Sequence, residues 1–320
     1  MATGNLTAVV FGGGGFIGRH LVRRLGRSGA VVRVPSRHPT RLGYLRTAGV
    51  VGQIVPELVG AFDDDELAAT IQGADVVINL IGILAEGGRN NFGRIHTDLA
   101  GRIAKVAAAS GVKRLIHVSA LGVDGATTSA YARSKVAGEE AVRAAFPNAT
   151  IVRPSIVFGP EDSFFNRFAA MTMISPALPL IGGGHTKFQP VYVGDVADGI
   201  MAAIARPEAA GQTYEFGGPG VYSFKELMEL LLAEIGVNRF LVPLPWALAR
   251  LQAAIAEWIP GKPLTRDQVE LLKYDNVLSG KAPGLAELGV RSSAVELILP
   301  TYLDRFLKGG RLGRQGRTAP

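Results

Sequence analysis

The chain has 320 residues, 48% of them hydrophobic, and a formal net charge of +7 at neutral pH. That is enough apolar material for one large or two unequal domains with a sizeable core. The absence of cysteine rules out disulfides and thiolate metal sites, and much of the positive excess sits at the end of the chain, in Lys308, Arg311, Arg314 and Arg317, leaving no basic face with aromatic or helical readers of the kind nucleic acid needs.

An apolar strand over 6–11 runs into Gly12-Gly13-Gly14-Gly15 and then into a helix whose stripe includes Leu21, Val22 and Leu25. Glycines at 12, 15 and 18 permit a tight turn, let backbone N–H groups approach a pyrophosphate and pack the helix closely on its strand. Phe16 and Ile17, which open the helix between them, join the expected dinucleotide-binding set. A strand beginning so near Met1 leaves no room for a cleavable leader, and no apolar run is long enough to span a bilayer. A cytoplasmic protein is therefore expected.

A second strand, 30–34, ends at Pro35-Ser36-Arg37-His38-Pro39. A carboxylate here suits the free ribose of NAD(H); a small hydroxyl beside arginine accepts the 2′-phosphate of NADP(H). Ser36 and Arg37 favour NADP(H), with NAD(H) as the alternative. A third strand is placed at 49–55. Asp63-Asp64-Asp65-Glu66 then reads as a helix start favoured by the dipole, with no metal expected. The strand at 74–82 ends at Leu80 and Gly82, where a cofactor ribose would lie.

A helical pattern covers 92–111, and the strand at 113–119 ends in Ser119. His117, inside that strand, reads as a structural residue. Tyr131 and Lys135 follow on one helical face. A cation beside a phenol lowers its pKa toward proton exchange with an alcohol or carbonyl, and Ser119 could hydrogen-bond the same substrate oxygen. Ser119, Tyr131 and Lys135 are the candidate catalytic set.

Together with Arg153-Pro154-Ser155-Ile156-Val157-Phe158-Gly159-Pro160, these motifs resemble the extended or atypical short-chain dehydrogenase/reductases, the NAD-dependent epimerase/dehydratase group. Within it, stretches such as 116–121, 145–155, 161–168 and 188–197 are most similar to the nucleotide-binding accessory subunits of respiratory complex I and their bacterial relatives. The resemblance implies a doubly wound Rossmann-type parallel sheet over 1–160 and 185–210, with Pro154 and Ile156 near the cofactor. It further implies a smaller substrate-side subdomain over 161–184 and 211–307. In this reading the chain returns to the Rossmann sheet at 190–205, and the short strand 213–216 belongs to the subdomain.

The helix at 245–259 carries a stripe of Leu248, Leu251, Ile255 and Trp258. It closes the small domain's core or docks on a complex I subunit or a membrane surface. The Gly-rich basic tail, 308–320, is a solvated end or a docking arm. Two functions are therefore expected. One is a structural NADP(H) in a respiratory assembly, with the protein peripheral on the inner face of the plasma membrane. The other is an NADP(H)-dependent oxidoreductase or epimerase on a small carbonyl or alcohol, quinone-like or sugar-nucleotide substrate.

Overall fold

The protein is described by a computed structural model covering residues 6–88 and 90–307; the basic tail lies outside the described residues. The chain divides into two compact units. The first runs through Pro154 and includes Val193–Phe216 and Ser279–Arg291; the second holds Ser155–Tyr192, Gly217–Leu278 and the chain from Ser292 on.

In the first unit, β1 (Thr7–Phe11), α1 (Phe16–Arg27), β2 (Val31–Ser36), β3 (Ile54–Leu58), α2 (Asp64–Ile71), β4 (Val76–Asn79), α3 (Leu99–Ala109), β5 (Arg114–Val118), α4 (Ala130–Ala145) and β6 (Thr150–Pro154) alternate strand and helix. Ala8 through Phe11 and Val76 through Ile78 are completely buried, as strands covered on both faces require. On one face Val9, Phe11, Val77, Leu115 and Ile151 pack with Leu67, Ile103 and Val142 from the helices.

The chain then forms β7 (Val157–Phe158), α5 (Phe165–Ile174), β8 (Ala177–Ile181), β9 (Lys187–Phe188) and β10 (Val191–Tyr192) in the second unit. It returns to the first through α6 (Val193–Ala205) and β11 (Thr213–Phe216). There α6 packs along α1, tied by Arg24 donating to both oxygens of Asp198 at 2.6 and 2.9 Å. The remainder comprises β12 (Tyr222–Ser223), α7 (Phe224–Ile235), β13 (Phe240–Leu244), α8 (Trp246–Ala256), α9 (Arg266–Leu271) and α10 (Val295–Ile298).

The main sheet has seven parallel strands in the order β11-β6-β5-β4-β1-β2-β3. Three sequence expectations change. The third strand starts at Ile54, because Gly52 has φ +81° and the preceding residues form a turn. The strand at Val191 pairs with β7 and stays out of the main sheet. The strand that joins it is Thr213–Phe216, at its edge beside β6.

The second unit gathers Phe158, Phe165, Leu178, Phe188, Phe224, Leu227 and Leu231 into a core of its own. Asp162 is buried there: its carboxylate accepts from Tyr302 Oη at 2.6 Å and from the backbone N–H groups of Gly159, Phe164 and Asn166. On α8 the core expectation is reversed. Ala249, Ala253 and Ala256 turn inward, while Leu248, Leu251 and Ile255, and Trp258 in the turn that follows, are exposed, Trp258 at 90%. Trp246 is half-buried against Gly182. Among the described residues no helix is long and apolar enough to cross a membrane.

Candidate functional site

Strand order reverses between β1 and β4, which places a crevice at their carboxyl ends. The glycine turn leaves β1 there. Gly12 has φ +78°, a conformation that L side chains rarely adopt, and its carbonyl accepts from Gly15 N at 2.9 Å. A Cβ on Gly18 would lie 2.3 Å from Gly12 O, so α1 sits directly on the turn. Gly15 caps α1 without a side chain, and no acid occupies its first turn. The helix N-terminus thus keeps its N–H groups and its positive dipole end for an anion. On α2, by contrast, Asp63 caps the helix through Glu66 N, and Glu66 binds the N–H groups of Gly60, Ala61 and Phe62. Those acids therefore have backbone partners.

At the end of β2, Ser36 Oγ accepts from His38 N at 3.1 Å and Arg37 is exposed. The following 3-10 stretch, Pro39–Ala48, folds back on the turn: Tyr44 Oη donates to Gly14 O at 3.0 Å, and Arg19 lies 5.5 Å over the Tyr44 ring.

The chain leaving β4 links the turn to the Tyr-Lys helix. A Cβ on Gly12 would meet the Leu80 carbonyl carbon at 3.0 Å and Ile81 N at 3.2 Å. One on Gly82 would lie 3.4 Å from Lys135 Nζ. Glycine turn, Leu80, Gly82 and Lys135 therefore lie together at the carboxyl end of the sheet.

Lys135 is 4% exposed and donates to Val118 O at 3.2 Å. Burial lowers its pKa to about 8, opposed by the Glu139 carboxylate one turn on. Tyr131 lies edge-on to Phe92 and His96, with ring centroids at 5.8 and 5.3 Å. Ser119 Oγ is buried without a hydrogen-bond partner among the described residues, a polar atom suited to a ligand oxygen. His117 is fully buried and 3.3 Å from Asn79 Nδ2; burial, then the charge of Lys135, pulls its pKa to about 3.

Pro154 ends β6 and accepts from Leu121 N at 2.9 Å. Ile156 belongs to the second unit, where its N–H donates to Asn276 Oδ1 at 2.9 Å. Among the described residues no group of three His, Asp or Glu side chains is placed to hold a metal. One residue the sequence did not single out is His96, held in a π-helical turn, Gly93–Asp98, that precedes α3. A lone histidine in a helical pattern gives no signal for that turn.

A doubly wound parallel sheet with a glycine turn at its switch point, and a Tyr-x-x-x-Lys helix beside it, defines a Rossmann protein of the extended short-chain dehydrogenase/reductase type. The chain belongs to the NAD dependent epimerase/dehydratase family, whose model matches residues 8–217. It is 37% identical over 317 residues to NADH dehydrogenase [ubiquinone] 1 alpha subcomplex subunit 9, mitochondrial, of Arabidopsis thaliana, covering 95% of this chain and 79% of that protein. The protein of the same name from Mus musculus is 37% identical over 302 residues, covering 91% and 78%. Among solved structures, the dTDP-glucose 4,6-dehydratase DesIV of Streptomyces venezuelae, with NAD and TYD bound, superposes with a TM-score of 0.68 at 21% identity, covering 94% and 96%.

Proposed function

We propose that the chain is an NADP(H)-binding accessory or assembly component of a respiratory NADH:quinone oxidoreductase, in which the nucleotide has a structural role. The observation that carries this reading is its likeness, along 95% of its length, to a subunit named for that enzyme. The amides around Gly12, Gly15, Phe16, Ile17 and Gly18 would bind the pyrophosphate, Ser36 and Arg37 the 2′-phosphate, and Leu80, Gly82, Tyr131 and Lys135 the nicotinamide ribose, with Pro154 and Ile156 also in the cofactor-binding set. A bound dinucleotide stabilises the folded state by linkage. The exposed stripe of α8 is the face offered to partner subunits or to the membrane at the inner face of the plasma membrane, and the basic tail, outside the described residues, would join it through its charge.

A second reading, turnover, is favoured by the orphaned Ser119 Oγ, next in the chain to the Val118 carbonyl bound by a lysine that stays largely protonated at neutral pH. Here NADP(H) would supply or take a hydride. Tyr131 would hold or release the proton, Lys135 would favour its phenolate, and Ser119 would orient a small carbonyl or alcohol, quinone-like or sugar-nucleotide substrate.

Gentle purification of the native protein, with mass identification of bound nucleotide and accompanying subunits, tests the first reading. Tyr131→Phe, which removes a single hydroxyl contact to the ribose, is expected to lower nucleotide affinity by no more than about tenfold and to leave assembly nearly unchanged. A large assembly defect in that variant would overturn the structural role, and an NADPH-dependent reduction lost in it would establish the second reading.

Arg37→Glu tests the cofactor choice. Placing a carboxylate beside the 2′ position should weaken NADPH binding by about tenfold or more while sparing NADH. Equal loss of both, measured by calorimetry, would show that Arg37 does not meet the 2′-phosphate.

A further inference from the structure

His96 sits at the junction between the chain leaving β4 and the Tyr-Lys helix. Its Nε2 lies 3.0 Å from Ile83 N and accepts that N–H. A nitrogen that accepts carries no proton, so in the neutral ring the hydrogen is on Nδ1. From there it points at Ser134 Oγ, 2.9 Å away, and Ser134 Oγ donates to Tyr131 O at 2.7 Å. One imidazole thus ties Ile83 to the residue preceding Lys135.

The surroundings fix that ring. Phe92 stacks on it at 5.5 Å and 18°, and Tyr131 meets it edge-on at 5.3 Å and 89°. The backbone beneath is held as closely: a Cβ on Gly138 would lie 2.0 Å from His96 O, and Thr97 Oγ1 donates to Ser134 O at 3.1 Å. The π-helical turn, Gly93–Asp98, that carries His96 interrupts helical regularity, and such turns are frequent at functional sites.

The tethered segment is short. Leu80 N is fixed by Phe11 O at 2.9 Å and Ile81 N by Asn79 Oδ1 at 3.0 Å, both on the sheet side. Ile83 is fixed from the helix side by His96. Between these anchors lies exposed Gly82, where a Cβ would stand 3.4 Å from Lys135 Nζ and 3.8 Å from His96 Nε2.

We propose that His96 is a positioning residue of the dinucleotide site, setting the spacing between Gly82 and Lys135 and hence the fit of the nicotinamide-ribose half. The proposal rests on the dinucleotide reading above. His96 acts through Ile83 and Ser134 and takes no part in proton transfer. Its influence is confined to one half of the ligand, because the glycine turn and the end of β2 have their own anchors.

The test uses calorimetry on the full-length protein with NADPH and NADH and with their adenosine halves, adenosine 2′,5′-bisphosphate and AMP. His96→Leu keeps a side chain of similar size but strands the Ile83 N–H, and should weaken the preferred dinucleotide about tenfold. Its adenosine half should change by less than about twofold. His96→Gln, whose amide oxygen can accept from Ile83, should return the dinucleotide to within about threefold of wild type. Unchanged dinucleotide affinity in the leucine variant, equal loss of dinucleotide and half, or no rescue by glutamine would overturn the proposal. If the wild-type protein binds neither dinucleotide nor half, the nucleotide reading itself fails, and a defective leucine variant has no bearing on that result.

Discussion

Gly18→Ala is expected to weaken dinucleotide binding by about a hundredfold or more and to lower the melting temperature by several degrees. Intrinsic propensity argues the other way, since alanine inside a helix gains about 1 kcal/mol over glycine. Sterics decide. The new methyl would stand 2.3 Å from Gly12 O and 2.6 Å from Gly13 Cα, both backbone atoms of a turn fixed at φ +78°. Overpacking of this kind costs ~1–3 kcal/mol, and the relief available, moving α1 off the turn, draws its N–H groups away from the pyrophosphate. Neighbouring glycines supply the controls. A methyl on Gly14 meets the Leu42 side chain at 2.4 Å, and the end of a leucine can swing aside; one on Gly15 meets Gly12 O at 3.1 Å, where a small shift suffices. The expected order of damage in calorimetry and thermal melts is therefore Gly18 first, with Gly14 and Gly15 well behind. Equal effects at the three positions would show that close packing of helix on turn is not what the site needs.

The parts of this site legible in the sequence were those whose chemistry is local. An apolar strand, a glycine turn and a helix adjacent in sequence must be adjacent in space, and Tyr131 and Lys135 share a face through the helical repeat alone. What could not be read depended on distant pairing. Thr213–Phe216 is four residues long, and only its register against β6, with Ser279 N donating to the Glu215 carboxylate at 2.8 Å, makes it the sheet's edge. On α8 the two faces have the same period, so periodicity could not choose between them. The alanines face inward because the helix lies close against Ile181, Leu244, Leu264 and Val269, and close approach selects the small side chains. His96 has no local signature for a related reason: its partners are Ile83 N and Ser134 Oγ, neither of which is near it in sequence.

Acid is expected to unfold the protein largely through His96 and His117. Burial, followed by the nearby charge of Lys135, holds both imidazoles at about 3, against an ordinary value of 6.5. Above 6.5 both rings are neutral in the folded and unfolded chain, and neither affects the balance. As pH falls below 6.5 the unfolded chain takes up protons that the native state refuses, so stability declines with pH until about 3, where the folded rings also titrate. Each histidine contributes a slope of about 1.4 kcal/mol per pH unit. Two units below the ordinary value, the pair removes on the order of 5 kcal/mol, a large part of the ~5–15 kcal/mol that a domain possesses. Glu57 works in the opposite direction, because burial raises its carboxyl, so the slope is best read above the carboxylate range. Urea denaturation between about pH 7 and 5.5 should therefore show the unfolded state binding nearly two more protons than the native state at the lower end. His117→Leu should remove one of them, and it costs stability at neutral pH by leaving Asn79 Nδ2 without its ring partner. Adding His96→Leu should flatten the remainder. Stability that stays level across this range in the wild-type protein would mean that the rings titrate normally, and that the surroundings of His96 and His117 are open to water.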